Sequence, residues 1–362
     1  MAAMSRAISR NATTTDRRPA ESVRSVLIVD DEPSVRTLMR RWLEPYKYVV
    51  SQASDAHEAL RMLAAEPAAV VVCDLRMPGH DGLWLTDQLR RAFPETAVII
   101  ATGVNDVTAA VEGLRQGVVD FLTKPFDRQR LLDAVARGVE WHTAALDSRR
   151  WRDVLEGEMR ERYGAIESII DSWPVNSPES LDGLLSALTA NNPDAYSHAY
   201  RVAALSATLA RALDLTPSEV EIVEHGALLH DLGKLAMPEA VLRKPAPLTV
   251  EEQRLIRTHP ALGSGLIGKV PYLAASASVV HDAHERPDGQ GYPRGSRGDV
   301  VWLGARIVTV ADSFDTMTRA RVFRDAMPPD AAQVELSRCK GTQFDPRVVD
   351  AFVGLAGAKA SF

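Results

Sequence analysis

The chain has 362 residues, with 42 lysines and arginines against 48 aspartates and glutamates and a formal net charge of −6. That mildly acidic balance argues against a broad nucleic-acid surface, so no DNA partner is expected, and no apolar run approaches the roughly 20 residues that span a bilayer. The two cysteines, Cys73 and Cys339, are far apart and form no Cys-x-x-Cys redox motif; with no membrane segment either, the expected compartment is the cytoplasm.

Residues 1–23 are polar and rich in Arg, Ser and Thr, without the apolar stretch of a secretory signal, and read as a disordered tail. From 24 to 143, short apolar runs at 26–29, 70–73, 98–101 and 121–122, with a weaker one at 48–50, alternate with helical stretches. Uniformly apolar short strands separated by helices predict a doubly wound α/β domain with a parallel sheet covered on both faces. Functional groups of such sheets gather beyond the carboxyl ends of the strands. Here those ends carry Asp30 and Asp31, Asp74, Thr102 and, after the last run, Lys124. Three crowded carboxylates repel one another, and a divalent cation such as Mg²⁺ relieves the repulsion. Lys124 and the Thr102 hydroxyl then suit phosphoryl oxygens, and a carboxylate beside a metal and a lysine suits a phosphoryl acceptor. Any one of these residues alone reads as a solvated loop start; the set does not.

This stretch resembles the receiver domain of two-component response regulators. The matching pieces are Val-Asp30-Asp31-Glu, Asp74-Leu-Arg-Met77-Pro78-Gly-His-Asp81-Gly82, Ala-Thr102-Gly and Phe121-Leu-Thr-Lys124-Pro125-Phe. The resemblance implies a flavodoxin-like fold of five parallel strands, Asp74 as phosphoacceptor, and Asp30, Asp31 and Asp74 around Mg²⁺. It also implies Thr102 and Phe121 as the switch pair and a sensor histidine kinase as partner.

Residues 144–184 read as a helical connector, with apolar residues at helical spacing but an imperfect heptad. The pattern suits either a dimer seam, and hence a homodimer, or a helix packed on its own domain. Residues 185–358 read as all-α. Asn192-Pro193, Thr216-Pro-Ser-Glu219 and Thr249-Val-Glu-Glu252 each carry helix-start chemistry. On these boundaries Asp194 and His198 share a helix face, His230-Asp231 and His259 each close a helix, and Asp312 falls within one. A His-Asp dipeptide offers one imidazole nitrogen and one carboxylate oxygen, a donor set for a hard or borderline divalent metal and not a thiolate-bound structural zinc. For His57, His80, His142 and His225 the ordinary core or surface role is expected.

The region resembles the HD-GYP family of phosphodiesterases along nearly its whole length. The match rests on Ser197-His198-Ala-Tyr-Arg201, Leu-Leu-His230-Asp231-Leu-Gly-Lys234, His259-Pro-Ala-Leu-Gly263, His284-Glu285-Arg-Pro-Asp288-Gly-Gln-Gly-Tyr292-Pro293 and Ala-Asp312-Ser-Phe-Asp315. It implies an all-α HD-type domain and two divalent metals, with iron or manganese suiting the donors better than zinc. The implied ligands are Asp194, His198, His230, Asp231, His259, His284 and Asp312. His230, Asp231 and Lys234 would carry catalysis, and Tyr292, Arg321 and Arg324 would meet substrate. The substrate implied is cyclic di-GMP, cut to pGpG and in some members to GMP, and the glycine-rich loop offers a surface for protein partners. One departure is Ala283, where the family has a metal-binding histidine. Either His281, one helical turn before His284, substitutes, or the ligand is lost. Two functions follow: a phosphodiesterase controlled by phosphorylation at Asp74, or a degenerate module that binds nucleotide or protein without turnover.

Overall fold

The computed structural model describes residues 24–103, 117–172, 179–190, 193–320 and 325–359. They form two compact units that divide between Trp151 and Arg152.

The first unit is the expected parallel sheet. Strands β1 (Ser25–Val29), β2 (Val49–Ala53), β3 (Val70–Asp74), β4 (Ala97–Thr102) and β5 (Asp120–Thr123) lie in the order β2-β1-β3-β4-β5, every pair parallel. The central strands are buried on both faces, which is why they read as unbroken Val/Ile/Leu runs. β2 extends past the expected 48–50 into Ser51 and Gln52. It is an edge strand and only half-buried, so polar residues are tolerated there and hide it from a hydrophobicity reading. Helices α1 (Pro33–Leu43), α2 (Ala56–Ala65) and α3 (Gly82–Ala92) flank the sheet. Asp55 and Asp81 open the latter two by accepting hydrogen bonds from the Glu58 and Trp84 amides at 2.9 and 2.8 Å. Cys73 is fully buried in β3, as an apolar strand residue should be.

Helix α4 (Arg128–Asp171) passes through the boundary between the units. Leu131, Leu132 and Val135 belong to the core under one face of the sheet, while Leu155, Ile166 and Ile170 belong to the cores of the second unit. Each half is therefore packed within its own unit.

The second unit is helical: α5 (Glu179–Thr189), α6 (Pro193–Ala212), α7 (Pro217–Leu229), α8 (Glu239–Leu242), α9 (Val250–Ile256), α10 (His259–Gly268), α11 (Ala277–Asp282), α12 (Leu303–Thr318), α13 (Pro329–Arg338) and α14 (Pro346–Lys359). The capping boxes at Thr216/Glu219 and Thr249/Glu252 are both formed. Asn192 lies outside the described residues, and α6 opens at Pro193. One boundary differs from expectation. His259 does not close a helix but opens α10, with Pro260 in its first turn, where a missing amide costs nothing. Among the described residues no helix is long and apolar enough to cross a membrane.

Candidate metal centre and phosphoacceptor site

The second unit's site is built where α7 ends. His230 caps that helix, and the chain then tightens into a 3₁₀ turn over Leu232–Ala236. Gly233 makes the turn possible, because a Cβ there would sit 1.9 Å from the His259 carbonyl oxygen and 2.7 Å from the Gly263 amide. Only bare backbone can lie this close to α10, and the approach brings Asp231 beside His259.

Backbone carbonyls fix the histidine tautomers. A carbonyl can only accept, so His230 Nδ1–H donates to Ala227 O and His259 Nδ1–H to Ile256 O, both at 2.8 Å. Their Nε2 lone pairs are thereby aimed at Asp231 Oδ1, 3.6 and 3.5 Å away. His198 is held in the same way by a carboxylate: its Nδ1 lies 2.7 Å from Asp315, which the Arg201 guanidinium grips through two bonds of 2.5 and 2.8 Å. His198 Nε2 faces Asp312 Oδ1 at 3.3 Å, and the same oxygen is 3.9 Å from His230 Nε2. His284 completes the set, its Nε2 3.2 Å from that of His259.

The donors form two overlapping groups, His198/His230/Asp231 and Asp231/His259/His284, sharing Asp231. Asp231 Oδ1 is buried and has no hydrogen-bond partner, while its other oxygen accepts from Lys234 Nζ at 2.7 Å. A buried carboxylate oxygen left without a proton donor, among imidazole lone pairs, lacks only a cation, so the residues fit divalent metal ions. The groups also act on one another's protonation. Burial opposes charge on His198, yet Asp312 and Asp315 raise its pKa to about 9. Burial, then the neighbouring His259, lowers His284 to about 3. Asp231 and Asp312 lie below the ordinary carboxylate range despite burial, Asp231 chiefly through Lys234 and His230, Asp312 through His198 and His230.

Six of the seven expected ligands therefore meet. Asp194 does not join the donor groups; it is exposed, on the wall of an adjoining cavity of about 1010 Å³. His281 does not join the donor groups either; its Nδ1 is bonded to Asp282 at 2.7 Å, and α11 ends there, before Ala283 and His284. Ala283 is buried in the helical core. Tyr292 stacks on the His284 ring at 5.0 Å between centroids, with the Arg257 guanidinium over its face at 5.5 Å. It supports His284 and is not among the residues lining the cavity. Arg321 and Arg324 lie outside the described residues.

Two groups escaped the sequence reading. Asp315 holds His198, and its signal was its place three residues after Asp312, on one face of α12. Glu285, 2 % exposed, pins the glycine-rich loop by accepting from the Arg294 and Ser296 amides at 2.7 and 2.9 Å.

In the first unit the strand ends converge as expected. Asp30, Asp31 and Asp74 offer oxygens within 4.8 Å of one another. Lys124 Nζ bridges Asp30 and Asp74 at 2.9 and 3.0 Å. Burial raises the Asp74 pKa, against the pull of Lys124. Thr102 is buried at the end of β4, and Phe121 is half-buried against the core on the α2/α3 side. Gly82 lets α3 start against Asp74, since a Cβ there would sit 2.5 Å from the Asp74 carbonyl.

A response regulator receiver domain model matches residues 26–136, and an HD domain model matches 184–348. The chain is 33% identical over 344 residues to the cyclic di-GMP phosphodiesterase response regulator RpfG of Xanthomonas campestris pv. campestris, covering 91% of this chain and 87% of that protein. The chain belongs to the receiver–HD response regulator family. A second relative, a cyclic di-GMP phosphodiesterase of Thermotoga maritima, is 27% identical across 91% of this chain and 90% of its own. A shorter match, 36% identical over 157 residues, is to 3'3'-cGAMP-specific phosphodiesterase 3 of Vibrio cholerae, covering 43% of this chain and 34% of that protein. As a receiver–HD response regulator, the chain pairs an aspartate site for a phosphodonor with a His/Asp donor cluster on separate units.

Proposed function

We propose that this response regulator is a metal-dependent phosphodiesterase that opens cyclic di-GMP to pGpG under control of phosphorylation at Asp74. The observation that carries the reading is the buried, unpartnered Oδ1 of Asp231 among the Nε2 atoms of His230 and His259, at the wall of a cavity large enough for a dinucleotide. Relatives across nine-tenths of the chain bear the name cyclic di-GMP phosphodiesterase.

His198, His230, Asp231 and Asp312 would hold one ion, and Asp231, His259 and His284 a second; imidazole and carboxylate donors suit iron or manganese better than zinc. Such ions polarise a phosphoryl oxygen and lower the pKa of water from 15.7 towards about 7. The chain's own residues do the rest. The carbonyls of Ala227 and Ile256 and the Asp315 carboxylate keep three imidazoles in the tautomer that presents Nε2. Lys234, beside Asp231 on the cavity wall, is placed to donate to a phosphoryl oxygen as negative charge grows there. Loss of the histidine at Ala283 leaves these donors together, which favours turnover over a binding-only module. The likeness to the 3'3'-cGAMP-specific enzyme makes that cyclic dinucleotide the second substrate to try.

The test is turnover of both cyclic dinucleotides by manganese-loaded protein, before and after treatment with acetyl phosphate, beside Asp74→Asn. The expected result is linear product from cyclic di-GMP at a rate that acetyl phosphate changes in the wild type only. A rate identical in the two states would remove the proposed control by Asp74.

A further inference from the structure

We propose that Arg162, on the connector helix α4, binds the non-reacting phosphate of the cyclic dinucleotide. The inference rests on the function proposed above. A cyclic dinucleotide carries two phosphodiester anions, and when one lies at the donor cluster the other needs a cation elsewhere in the cavity. Among the described residues, five lysines and arginines line that cavity: Arg162, Arg201, Lys234, Arg243 and Arg319. Arg201 is committed to Asp315 through two bonds, and Lys234, bonded to Asp231 beside the donor cluster, is placed for the reacting phosphate. Arg243 and Arg319 are 66% and 61% exposed with loose 3.9 Å ion pairs, so water screens much of their charge.

Arg162 differs from these. Its side chain is 19% exposed, so an anion beside it is met in a partly desolvated setting. Its partner Glu158, one turn back on the same helix, accepts from Nε and Nη2 at 2.9 and 2.8 Å, but that carboxylate is 40% exposed, so solvent can take it when the guanidinium turns to a phosphate, whereas Asp315 beside Arg201 is 9% exposed. The backbone beneath it is anchored. Leu155 and Met159 pack against Met237, Val241 and Leu255, and Ile166 joins the main helical core, which fixes the face of α4 that meets the cavity. A planar guanidinium on a fixed helix is preorganised for bidentate phosphate binding, which a lysine at the same place is not. The sequence reading gave this residue no role because α4 lies outside the motifs that mark the donors.

The experiment measures KM and kcat for cyclic di-GMP, metal content and melting temperature for the full chain and for Arg162→Ala and Arg162→Lys. We expect Arg162→Ala to raise KM about ten- to hundredfold, the loss of one charge-assisted contact, with kcat within about threefold of wild type. Metal content and melting temperature stay unchanged, and Arg162→Lys recovers part of the loss. An unchanged KM in Arg162→Ala, with wild-type turnover intact, overturns the inference alone. A loss of metal or of stability that accounts for the KM change overturns it in favour of a structural role. Wild-type protein that neither binds nor turns over cyclic di-GMP overturns both this inference and the function on which it rests.

Discussion

Replacing Asp315 with asparagine isolates how the scaffold prepares one proposed metal ligand, His198. Asp315 is not itself a member of the donor groups but accepts from His198 Nδ1 at 2.7 Å and from Arg201 at 2.5 and 2.8 Å, with its own side chain 9% exposed. An amide is isosteric, yet one of its two atoms is a donor. Either Arg201 or His198 then faces an N–H, and the tautomer that frees Nε2 is no longer enforced. Partners of this kind set metal affinity by about 10- to 100-fold. At about 1.36 kcal/mol per tenfold, that is about 1.4–2.7 kcal/mol of binding. The buried His198 bond contributes about 1.5–3 kcal/mol to the metal-free fold; the Arg201 half, 36% exposed, is discounted for screening. Isothermal titration with Mn²⁺ measures the first quantity and thermal unfolding of chelated protein the second. Metal affinity within twofold of wild type, in a folded variant, would refute the claim that Asp315 prepares His198.

Gly233→Ala is expected to cost at least about 1–3 kcal/mol, since its Cβ would collide with the His259 carbonyl; denaturant unfolding and metal titration should move together. Arg306→Met breaks a buried pair with Asp345 (2.5 Å, side chains 10% and 5% exposed) and is expected to destabilise by about 1.5–3 kcal/mol in urea melts, since Arg347 still faces that carboxylate at 3.3 Å. The Asp345 carboxyl also gives a pH signature. Burial pushes its pKa up, but Arg347 and Arg306 pull it below the ordinary value. A lowered folded pKa contributes stability that is complete above about pH 4 and is lost as pH falls through the folded value. Melting temperatures between pH 7 and 3 should therefore fall less steeply in Asp345→Asn than in wild type.

The sheet and the receiver site were legible because strand burial on two faces writes itself as apolar runs, and polar groups follow at the strand ends. β2 was shortened in the reading because an edge strand keeps Ser51 and Gln52 without penalty. In the helical unit the His-Asp pair pointed to a divalent metal, but the full donor set came from the resemblance to the HD-GYP family, because spacing alone does not show convergence in space. Three things could not be read from spacing. Pro260 marks a helix start or a stop with equal ease, so His259 was placed on the wrong helix. Asp194 shares a face with His198, but α6 turns it to solvent at the cavity wall. The groups that orient the histidines leave little mark in spacing: the Ala227 and Ile256 carbonyls are backbone three residues upstream, while Asp315 beside His198 and the Gly233–His259 contact exist only once the helices pack.

The central claim is that the His/Asp cluster is a phosphodiester-cleaving metal centre. Its most direct test is the amount of pGpG formed from cyclic di-GMP by anaerobically Fe²⁺- or Mn²⁺-loaded protein, beside His230→Ala/Asp231→Ala of equal fold. Product from the wild type that disappears in the double variant and on chelation is the predicted result. Folded, metal-loaded wild type that forms no product, or a double variant that forms as much, would contradict it.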